Sequence, residues 1–288
     1  MDLARPDLRP DPSLSRAEME ALQRDIAAAA TFADDGAPDP TAVAVEEAAS
    51  LADGLPPVRD DAQERLGAGE ASTAAERDPD APTVVGVDQA FLTDRADGRP
   101  DAAVSAAVAL RDGAVVEYAS ATTPLSIPYI PGLLAFREGE PILAALAALE
   151  AEPDLLVCDG SGRIHFREAG LATHVGVLRD VPSVGVAKSL LCGDPDEPTG
   201  ERPAGWRTPI RADDAVTTAE PGTVIGHAFQ SRQYPNSRRV NPLYVSPGHR
   251  VSAETAVDLV AAMCAGYKLP EPTRLADAHA DRAKRDAE

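Results

Sequence analysis

Three carboxylates lie at points of the chain where acids can act together on a metal ion. Asp88 stands within the β-branched run TVVGVDQAFL, Glu138 near the start of an apolar helical pattern, and Asp159 at the end of the apolar run LLVCD. Three unpaired anions are costly to bring together, so their convergence implies a hard divalent cation held by oxygen ligands. Each acid also has an ordinary alternative. Asp88 can end a strand, Glu138 can be a solvated helix residue, and Asp159 with Gly160 can form a turn.

The segment before Glu138 holds a tyrosine between two prolines, in the sequence IPYIPGLLAFRE. Pro128 and Pro131 fix φ, remove two backbone donors and push the preceding residues toward extended geometry, so Tyr129 is predicted to lie on a stiff loop. A helix begins soon after and carries Glu138 within its first turn or two. A tyrosine that folds back onto the core is the ordinary alternative.

The elements that must position these residues follow the order of an α/β fold. An antiparallel meander of three strands is followed by a helix, a strand, a helix, a strand, later strands and a last helix. The predicted strands are 83–92, 102–110, 114–122, 155–160 and 182–188, and the predicted helices are 140–152, 167–180 and 252–267. Because the first and fourth strands can be neighbours in a mixed sheet, the three carboxylates can meet at one edge.

Residues 1–82 differ in texture from the rest of the chain. The segments 15–33, with Ser15 as a cap, and 42–55 are predicted to be helical, and the acidic, small-residue-rich segment 64–82 is expected to be mobile. The predicted organisation is therefore an acidic, partly helical N-terminal extension over 1–82, a folded α/β domain over 83–278 and a C-terminal tail over 279–288.

The charge of the chain is unusual. Its 288 residues include 27 basic and 47 acidic side chains, for a net charge of −20, and only Lys188, Lys268 and Lys284 are lysines. An acidic, lysine-poor surface predicts a protein kept soluble in concentrated salt, and an acidic mesophilic enzyme is the alternative.

The three cysteines are far apart, which indicates neither a disulfide framework nor a zinc site. With neither a signal peptide nor a membrane span in the sequence, a cytoplasmic location without membrane contact is expected.

Several ordered blocks resemble those of one known family. PYIPGLLAFRE, DGSGRIHFREAGLATHVG, VPSVGVAKSLLCG, NPLYVSPGHRVS and GYKLPEPTRLAD are similar to segments of endonuclease V, a deoxyinosine-directed repair nuclease with a ribonuclease H-like fold. The resemblance covers about residues 83–277. It implies an α/β mixed sheet flanked by helices, and a monomer that acts on inosine-containing DNA, with RNA as an alternative substrate. It also implies Mg²⁺-dependent hydrolysis, with Mn²⁺ as a substitute, of the second phosphodiester bond 3′ to the lesion, leaving a 3′-hydroxyl and a 5′-phosphate.

The resemblance also implies residue roles. Asp88 and Asp159 correspond to metal ligands, Glu138 to a third acid of the metal site, and Tyr129 to a wedge that fills the space left by a flipped base. Lys188 and His249 correspond to polar groups near the scissile phosphate. Residues implied in the base pocket are Gly132, Gly160, Gly162, Leu171 and Leu191.

The residues themselves give partial support to these roles. Lys188 ends an apolar strand in a lysine-poor chain, where it can add positive charge near a phosphate; a strand-capping surface lysine is the alternative. For His249, a water-mediated metal ligand and an ordinary loop histidine are equally favoured. His165 and His174 are expected to form structural hydrogen bonds. Gly160 and Gly162 would let the backbone approach a flat base and offer N–H groups to hypoxanthine O6.

Two departures and two rival functions stay open. Phe166 stands where a proline is expected in relatives, and the segment 193–224 is long and has no assigned role. An inosine-specific ribonuclease of the same fold is one rival. A catalytically inactive nucleic-acid-binding module is the other, and the intact acids argue against it. A protein of this charge must bind a polyanion through a local basic face, for which the candidates are Arg137, Arg163, Arg167, Arg238, Arg239 and Arg250.

Overall fold

A mixed β-sheet forms the centre of the molecule. The computed structural model describes residues 3–59, 80–93 and 98–288. The strands in these residues are β1 Thr83–Leu92, β2 Ala102–Arg111, β3 Ala114–Pro124, β4 Leu155–Asp159, β5 Ser183–Ala187, β6 Asp194–Pro195, β7 Arg207–Arg211, β8 Val224–Phe229 and β9 Leu243–His249. They form one sheet in the order β3-β2-β1-β4-β5-β9-β8-β7-β6.

The centre of the sheet combines both kinds of pairing. β1 pairs antiparallel with β2 and parallel with β4, and β4 pairs parallel with β5, which in turn pairs antiparallel with β9. Residues Leu155 to Cys158 are fully buried, as expected for a strand covered on both faces. The predicted contact between the first and fourth strands is confirmed.

Helices cover both faces of this sheet. They are α1 Arg16–Ala29, α2 Leu134–Ala147, α3 Leu171–Arg179, α4 Ala253–Ala262 and α5 Glu271–Ala287. The first three pack on the face that includes Val87 and Cys158. α4 packs on the opposite face against Val157, and α5 lies on that face against β1 and β2. Gly86 permits the close approach of α5, because a Cβ there would stand 2.1 Å from the carbonyl oxygen of Pro272.

Several predicted helix boundaries require correction. α2 begins at Leu134, before the predicted start at 140, and Pro141 is accommodated inside it. α4 ends at Ala262 rather than at 267. The sequence pattern does not predict α5, and this helix continues through most of the segment 279–288, which the sequence suggested was a tail.

The N-terminal segment packs against the rest of the protein. Ser15 caps α1 through a capping box with Glu18, as the sequence predicts. The prediction of a helix over 42–55 is wrong, since only a short 3₁₀ helix, Pro40–Val43, precedes an irregular segment with bends and turns. Tertiary bonds explain this, because the Val45 N–H donates to the carbonyl of Ala262. The prediction for 64–82 falls largely outside the described residues.

Candidate active site

Asp88 and Asp159 are side by side at the point where the parallel pairing of β1 and β4 stops. Val87 is in register with Cys158, so the next residues, Asp88 and Asp159, lie on adjacent strands about 4.8 Å apart and project to the same face. That face is the one covered by α4 and α5. The sheet therefore brings together two acids that are distant in sequence.

Asp88 is a buried acid, and one of its two carboxylate oxygens has no hydrogen-bond partner. Its side chain is only 8% exposed; Oδ1 accepts from the Gln89 N–H at 2.7 Å, and Oδ2 is buried without a partner. Burial, together with the charge of Asp159, raises the pKa of Asp88 to about 8. The negative charge of a carboxylate in this position is unfavourable unless a bound proton or a cation neutralises it.

Glu138 approaches the same edge from α2. The side-chain amide of Gln89 donates to the Glu138 carboxylate at 3.3 Å, and Gln89 is in turn held by the hydroxyl of Ser105 at 3.0 Å. Burial raises the pKa of Glu138 to about 7, with Arg137 acting against this rise and Asp159 adding to it. The third predicted acid therefore lies within electrostatic reach of the Asp88–Asp159 pair.

Lys188 supplies the positive charge at this edge. It follows β5 and its Nζ donates to Oδ2 of Asp159 at 2.6 Å. Burial disfavours the charged amine, but the carboxylate of Asp159 outweighs this and the pKa of Lys188 is raised. The predicted lysine and the predicted acid are thus direct partners.

Asp277 is a fourth acid that the sequence reasoning missed. It lies exposed on α5. Burial and Asp159 have the largest effects on the pKa of Asp88, and the charge of Asp277 adds to the rise they cause. Asp277 also helps to raise the pKa of Lys188, after burial, which lowers it, and Asp159, which raises it. The signal was present in the block GYKLPEPTRLAD, whose final residue is this acid.

The donor set suits a hard cation, although it is not assembled as a closed cage. Within the described residues, no group of three or more His, Cys, Asp or Glu side chains stands at metal-binding distance, and the Lys188 amine contacts Asp159. Carboxylate oxygens are nevertheless the ligands that Mg²⁺ prefers, and the orphaned Oδ2 of Asp88 offers a buried one. The residues present therefore fit a magnesium-type ion.

His249 lies away from this site, which corrects its assignment. It pairs with Ser183 at the start of β5, whereas Asp159 pairs with Val186 near its end, a separation of roughly 10 Å along the strand. Its Nδ1 accepts from the Thr31 N–H and its Nε2 donates to Asp180, each at 3.1 Å. His249 thus fastens the N-terminal segment to β9.

The Tyr129 loop has a rigid base and an exposed tip. Gly132 adopts a left-handed φ of 79°, and its carbonyl accepts from Gln23 of α1 at 2.9 Å and from His165 at 3.1 Å. Tyr129 itself is 60% exposed. The tyrosine therefore does not fold back onto the core, and its ring is accessible at the end of a fixed loop.

The two histidines of the segment DGSGRIHFREAGLATHVG behave differently. His165 has the predicted structural hydrogen bonds, to the Gly132 carbonyl and from the Arg167 N–H. His174 instead packs its ring edge-on against Phe136, and neither ring nitrogen has a hydrogen bond of good geometry, although the backbone of Leu8 lies close enough to favour the protonated ring slightly. Burial lowers the pKa of His174 to about 3, so it is neutral.

Comparison with known proteins decides the family. Residues 68–278 match the sequence profile of Endonuclease V. An Endonuclease V from Natronomonas pharaonis is 58% identical over 284 residues, covering 99% of this chain and 98% of that protein. One from Haloarcula marismortui is 56% identical over 286 residues, with the same coverage of each. The chain belongs to the Endonuclease V family. It is therefore a nuclease, and both relatives come from halophilic archaea, in line with the acidic composition.

Solved structures of Endonuclease V share the fold. The protein from Streptomyces avermitilis superposes with a TM-score of 0.66 at 31% identity, covering 97% of this chain and 98% of that one. The protein from Ciona intestinalis, solved with a 24mer DNA containing an inosine followed by a ribo-adenosine, gives a TM-score of 0.64 at 24% identity over 94% and 98% of the chains. At that identity the likeness concerns the fold alone. The predicted ribonuclease H-like mixed sheet is confirmed.

Two expectations for an Endonuclease V base pocket require correction. The N–H of Gly160 donates to Val186 at 3.1 Å, and that of Gly162 donates to the hydroxyl of Ser246 at 2.9 Å, so neither is available to a base. Close packing within the protein explains why both positions are glycine, because a Cβ at either one would meet other atoms of the chain. A Cβ on Gly162 would stand 2.2 Å from the Pro247 carbonyl oxygen, and one on Gly160 would press on Leu171. Leu171 is buried in the core behind this loop.

The remaining pocket candidates lie nearer the surface. Leu191 is half-buried just after β5. Gly132 faces the ring of Phe166, and a Cβ on this glycine would stand 3.1 Å from that ring. Phe166, which replaces an expected proline, therefore shapes the base of the Tyr129 loop. Its carbonyl also accepts from the Thr217 N–H at 2.9 Å, which ties the 193–224 segment to this loop.

Most arginines proposed for a basic face are engaged within the protein. Arg163 pairs with Glu168 at 2.7 Å, Arg167 donates to Gln23 at 2.7 Å, and Arg250 pairs with Asp35 at 3.2 Å. The guanidinium of Arg137 lies 4.8 Å from the ring centre of Phe91. Arg238 and Arg239 are exposed.

In the described part of the chain, no helix has both the length and the apolar character to cross a membrane.

Proposed function

We propose that this nuclease recognises deoxyinosine in DNA and hydrolyses the second phosphodiester bond 3′ to the lesion in a Mg²⁺-dependent reaction. The products are a 3′-hydroxyl and a 5′-phosphate. The observation that supports this best is the pairing of Asp88 with Asp159, with Glu138 beside them and one oxygen of Asp88 left without a partner. Phosphodiester hydrolysis needs a centre that both activates water and stabilises charge on phosphate.

Asp88 and Asp159 would hold the metal ion, with Glu138 as the third acid. When bound, Mg²⁺ lowers the pKa of a water molecule and neutralises charge that builds on the phosphate. Lys188, whose amine donates to Asp159, would supply a second positive charge beside the phosphate. Glu138, whose burial raises its pKa to about 7, is suited to exchange a proton with water near neutral pH. Asp277 adds negative charge at the rim of the same edge.

Tyr129 would act as the wedge that enters the base stack when the damaged nucleotide is flipped. Its exposure and the fixed geometry of its loop support this role, since a wedge must be accessible and preorganised. Phe166 packs against Gly132 at the base of this loop, directly before the start of α2. The base pocket is therefore proposed near this loop, rather than at the N–H groups of Gly160 and Gly162.

The substrate is tested by direct comparison. Purified protein is incubated with Mg²⁺ and three labelled oligonucleotides of one sequence: a duplex with a single deoxyinosine, the same duplex without it, and an RNA with a single inosine. We expect cleavage of the deoxyinosine strand at the second phosphodiester 3′ to the lesion, mapped against a ladder. Preferential cleavage of the RNA would instead identify an inosine-specific ribonuclease.

A further inference from the structure

The loop between β8 and β9 carries an exposed basic and aromatic surface beside the carboxylates. At the start of β9, Tyr244 pairs with Ala187 of β5, which Lys188 directly follows. The loop of residues 230–242, here called the β8–β9 loop, therefore leaves the sheet at the same end as Lys188. It contains Arg232, Tyr234, Arg238 and Arg239.

The cations of this loop are free to bind an external anion. Among the described residues, none of its three guanidiniums forms an ion pair: Arg232 stacks on the Tyr234 ring at 5.1 Å, and Arg238 donates to the backbone carbonyl of Glu201 at 3.2 Å. Lys268 extends the surface, since its carbonyl accepts from the Ser231 hydroxyl at 2.6 Å. In a chain of net charge −20, so many unpaired cations beside one site indicate an anionic partner.

Two glutamines, one of them fully buried, hold the β8–β9 loop in place. Gln230 is 0% exposed, and its amide donates to the carbonyls of Arg232 at 2.8 Å and Val240 at 3.0 Å. Gln233 donates to Val240 at 3.0 Å and accepts from the Val240 N–H at 3.2 Å. The two arms of the loop are thus cross-linked, and a surface ordered before binding loses less entropy when its partner arrives.

Exposed aromatic rings flank the carboxylates on two sides. In the described part of the chain, the large hydrophobic side chains that remain exposed are Val58, Tyr129, Tyr234 and Tyr267, and Tyr234 is 53% exposed. The Tyr129 loop is tied to α1, on one face of the sheet, whereas the β8–β9 loop is tied to Lys268, in the connection between α4 and α5 on the other face. Asp88 and Asp159 lie where the parallel pairing of β1 and β4 stops, in the sheet that separates these two faces.

We propose that the β8–β9 loop binds the DNA flank on the 3′ side of the cleaved bond. Tyr234, backed by Arg232, stacks on a base, and Arg238 and Arg239 contact phosphates; aromatic platforms beside arginines bind nucleic acid strands in this way. The assignment of this loop to the 3′ side of the DNA strand rests on the proposed function, in which the lesion lies at Tyr129 and the cleaved bond lies 3′ to it. A strand that passes from Tyr129 over the carboxylates then reaches this loop on its 3′ side.

The test combines loop variants with substrates of different flank length. The variants are Tyr234→Ala and the double variant Arg238→Ser with Arg239→Ser. The control is Arg282→Ser with Arg285→Ser, which removes the same charge from exposed positions of α5 near β3, on the other side of the site. Each protein is assayed for KM and kcat on deoxyinosine duplexes with a long 3′ flank, a short 3′ flank or a short 5′ flank, and its melting temperature is measured.

The expected result is a coupling between the loop and the 3′ flank. Shortening that flank raises KM about tenfold for the wild type and for the control, and has little effect on the loop variants, whose KM is already about tenfold higher on the long flank. The double arginine variant also loses about two units of the slope of log KM against log salt. Melting temperatures stay at the wild-type value.

Three outcomes overturn the proposal, and they differ from one another. If wild type nicks deoxyinosine DNA but the loop variants respond to the 3′ flank as wild type does, this inference fails and the proposed function stands. Coupling to the 5′ flank instead shows that the loop binds the other side of the lesion. If wild type does not nick deoxyinosine DNA at all, the proposed function fails and the inference that rests on it fails too.

Discussion

The variant Asp88→Asn should stabilise the metal-free protein at high pH. In the folded protein burial and Asp159 raise the pKa of Asp88 from 3.8 to about 8. The native state therefore binds a proton that the unfolded chain releases, and this acid makes stability fall as pH rises from about 4 to about 8. Below about pH 4 Asp88 does not destabilise the folded state, and above about pH 8 its destabilisation is complete. Asparagine keeps the shape of the side chain and removes the ionisable group.

The size of the effect follows from the pKa difference. One pKa unit corresponds to about 1.36 kcal/mol, so the rise to about 8 costs the folded state on the order of 5 kcal/mol at pH 8 and under about 2 kcal/mol at pH 5. Part of this penalty is shared with Asp159. We therefore expect Asp88→Asn to raise the free energy of unfolding by about 2–5 kcal/mol at pH 8, which is a rise in Tm of at least about 4 °C.

The assay is thermal unfolding in EDTA at constant molar KCl, from pH 5 to pH 9. The control Asp25→Asn removes an exposed acid of α1 and should leave the curve unchanged. Adding Mg²⁺ should raise the Tm of wild type, more at pH 8 than at pH 5 because the ion competes with a proton, and should leave the Tm of Asp88→Asn unchanged. An Asp88→Asn protein that is less stable than wild type in EDTA at pH 8 would refute this account of the buried acid.

Three further predictions concern activity. Asp159→Ala should abolish nicking while lesion binding, measured by fluorescence anisotropy, stays within a few-fold of wild type, because the acid acts on the transition state; full activity would remove Asp159 from the site. Tyr129→Ala should weaken binding of inosine duplex by roughly ten- to a hundredfold, with less effect on single strands and an unchanged Tm, whereas Tyr129→Phe keeps the ring and most of the affinity; a matching loss of stability would instead make Tyr129 a core residue. Nicking should persist at molar KCl, where charges are screened within roughly 3 Å, and an activity optimum at low salt would contradict adaptation to concentrated salt.

The elements at the centre of the fold were readable from local pattern. The run TVVGVDQAFL coincides with β1 because β-branched residues fill a strand that is buried along most of its length. The apolar run before Asp159 is too short for a helix, and it forms β4 in parallel with β1. Once these two strands are neighbours, the meeting of Asp88 and Asp159 follows from register alone.

Elements that depend on tertiary contacts could not be predicted from the local sequence pattern. The Pro-Glu-Pro start of α5 resembles a break in structure, and what fixes this helix is its docking on Gly86. Its acid Asp277 was overlooked for that reason. His249 follows a Pro-Gly pair typical of a loop, yet these residues continue β9 against β5. The availability of the Gly160 N–H is likewise decided by a strand distant in sequence.

The central claim is tested most directly by nicking of matched duplexes that differ by a single deoxyinosine. With Mg²⁺, we expect one product from the deoxyinosine strand, ending in a 3′-hydroxyl at the second phosphodiester beyond the lesion, and none from the unmodified duplex. With EDTA, or with the Asp88→Ala variant, the product should be absent. Equal cleavage of both duplexes, or cleavage that persists in EDTA, would contradict a lesion-directed nuclease whose carboxylates hold a metal ion.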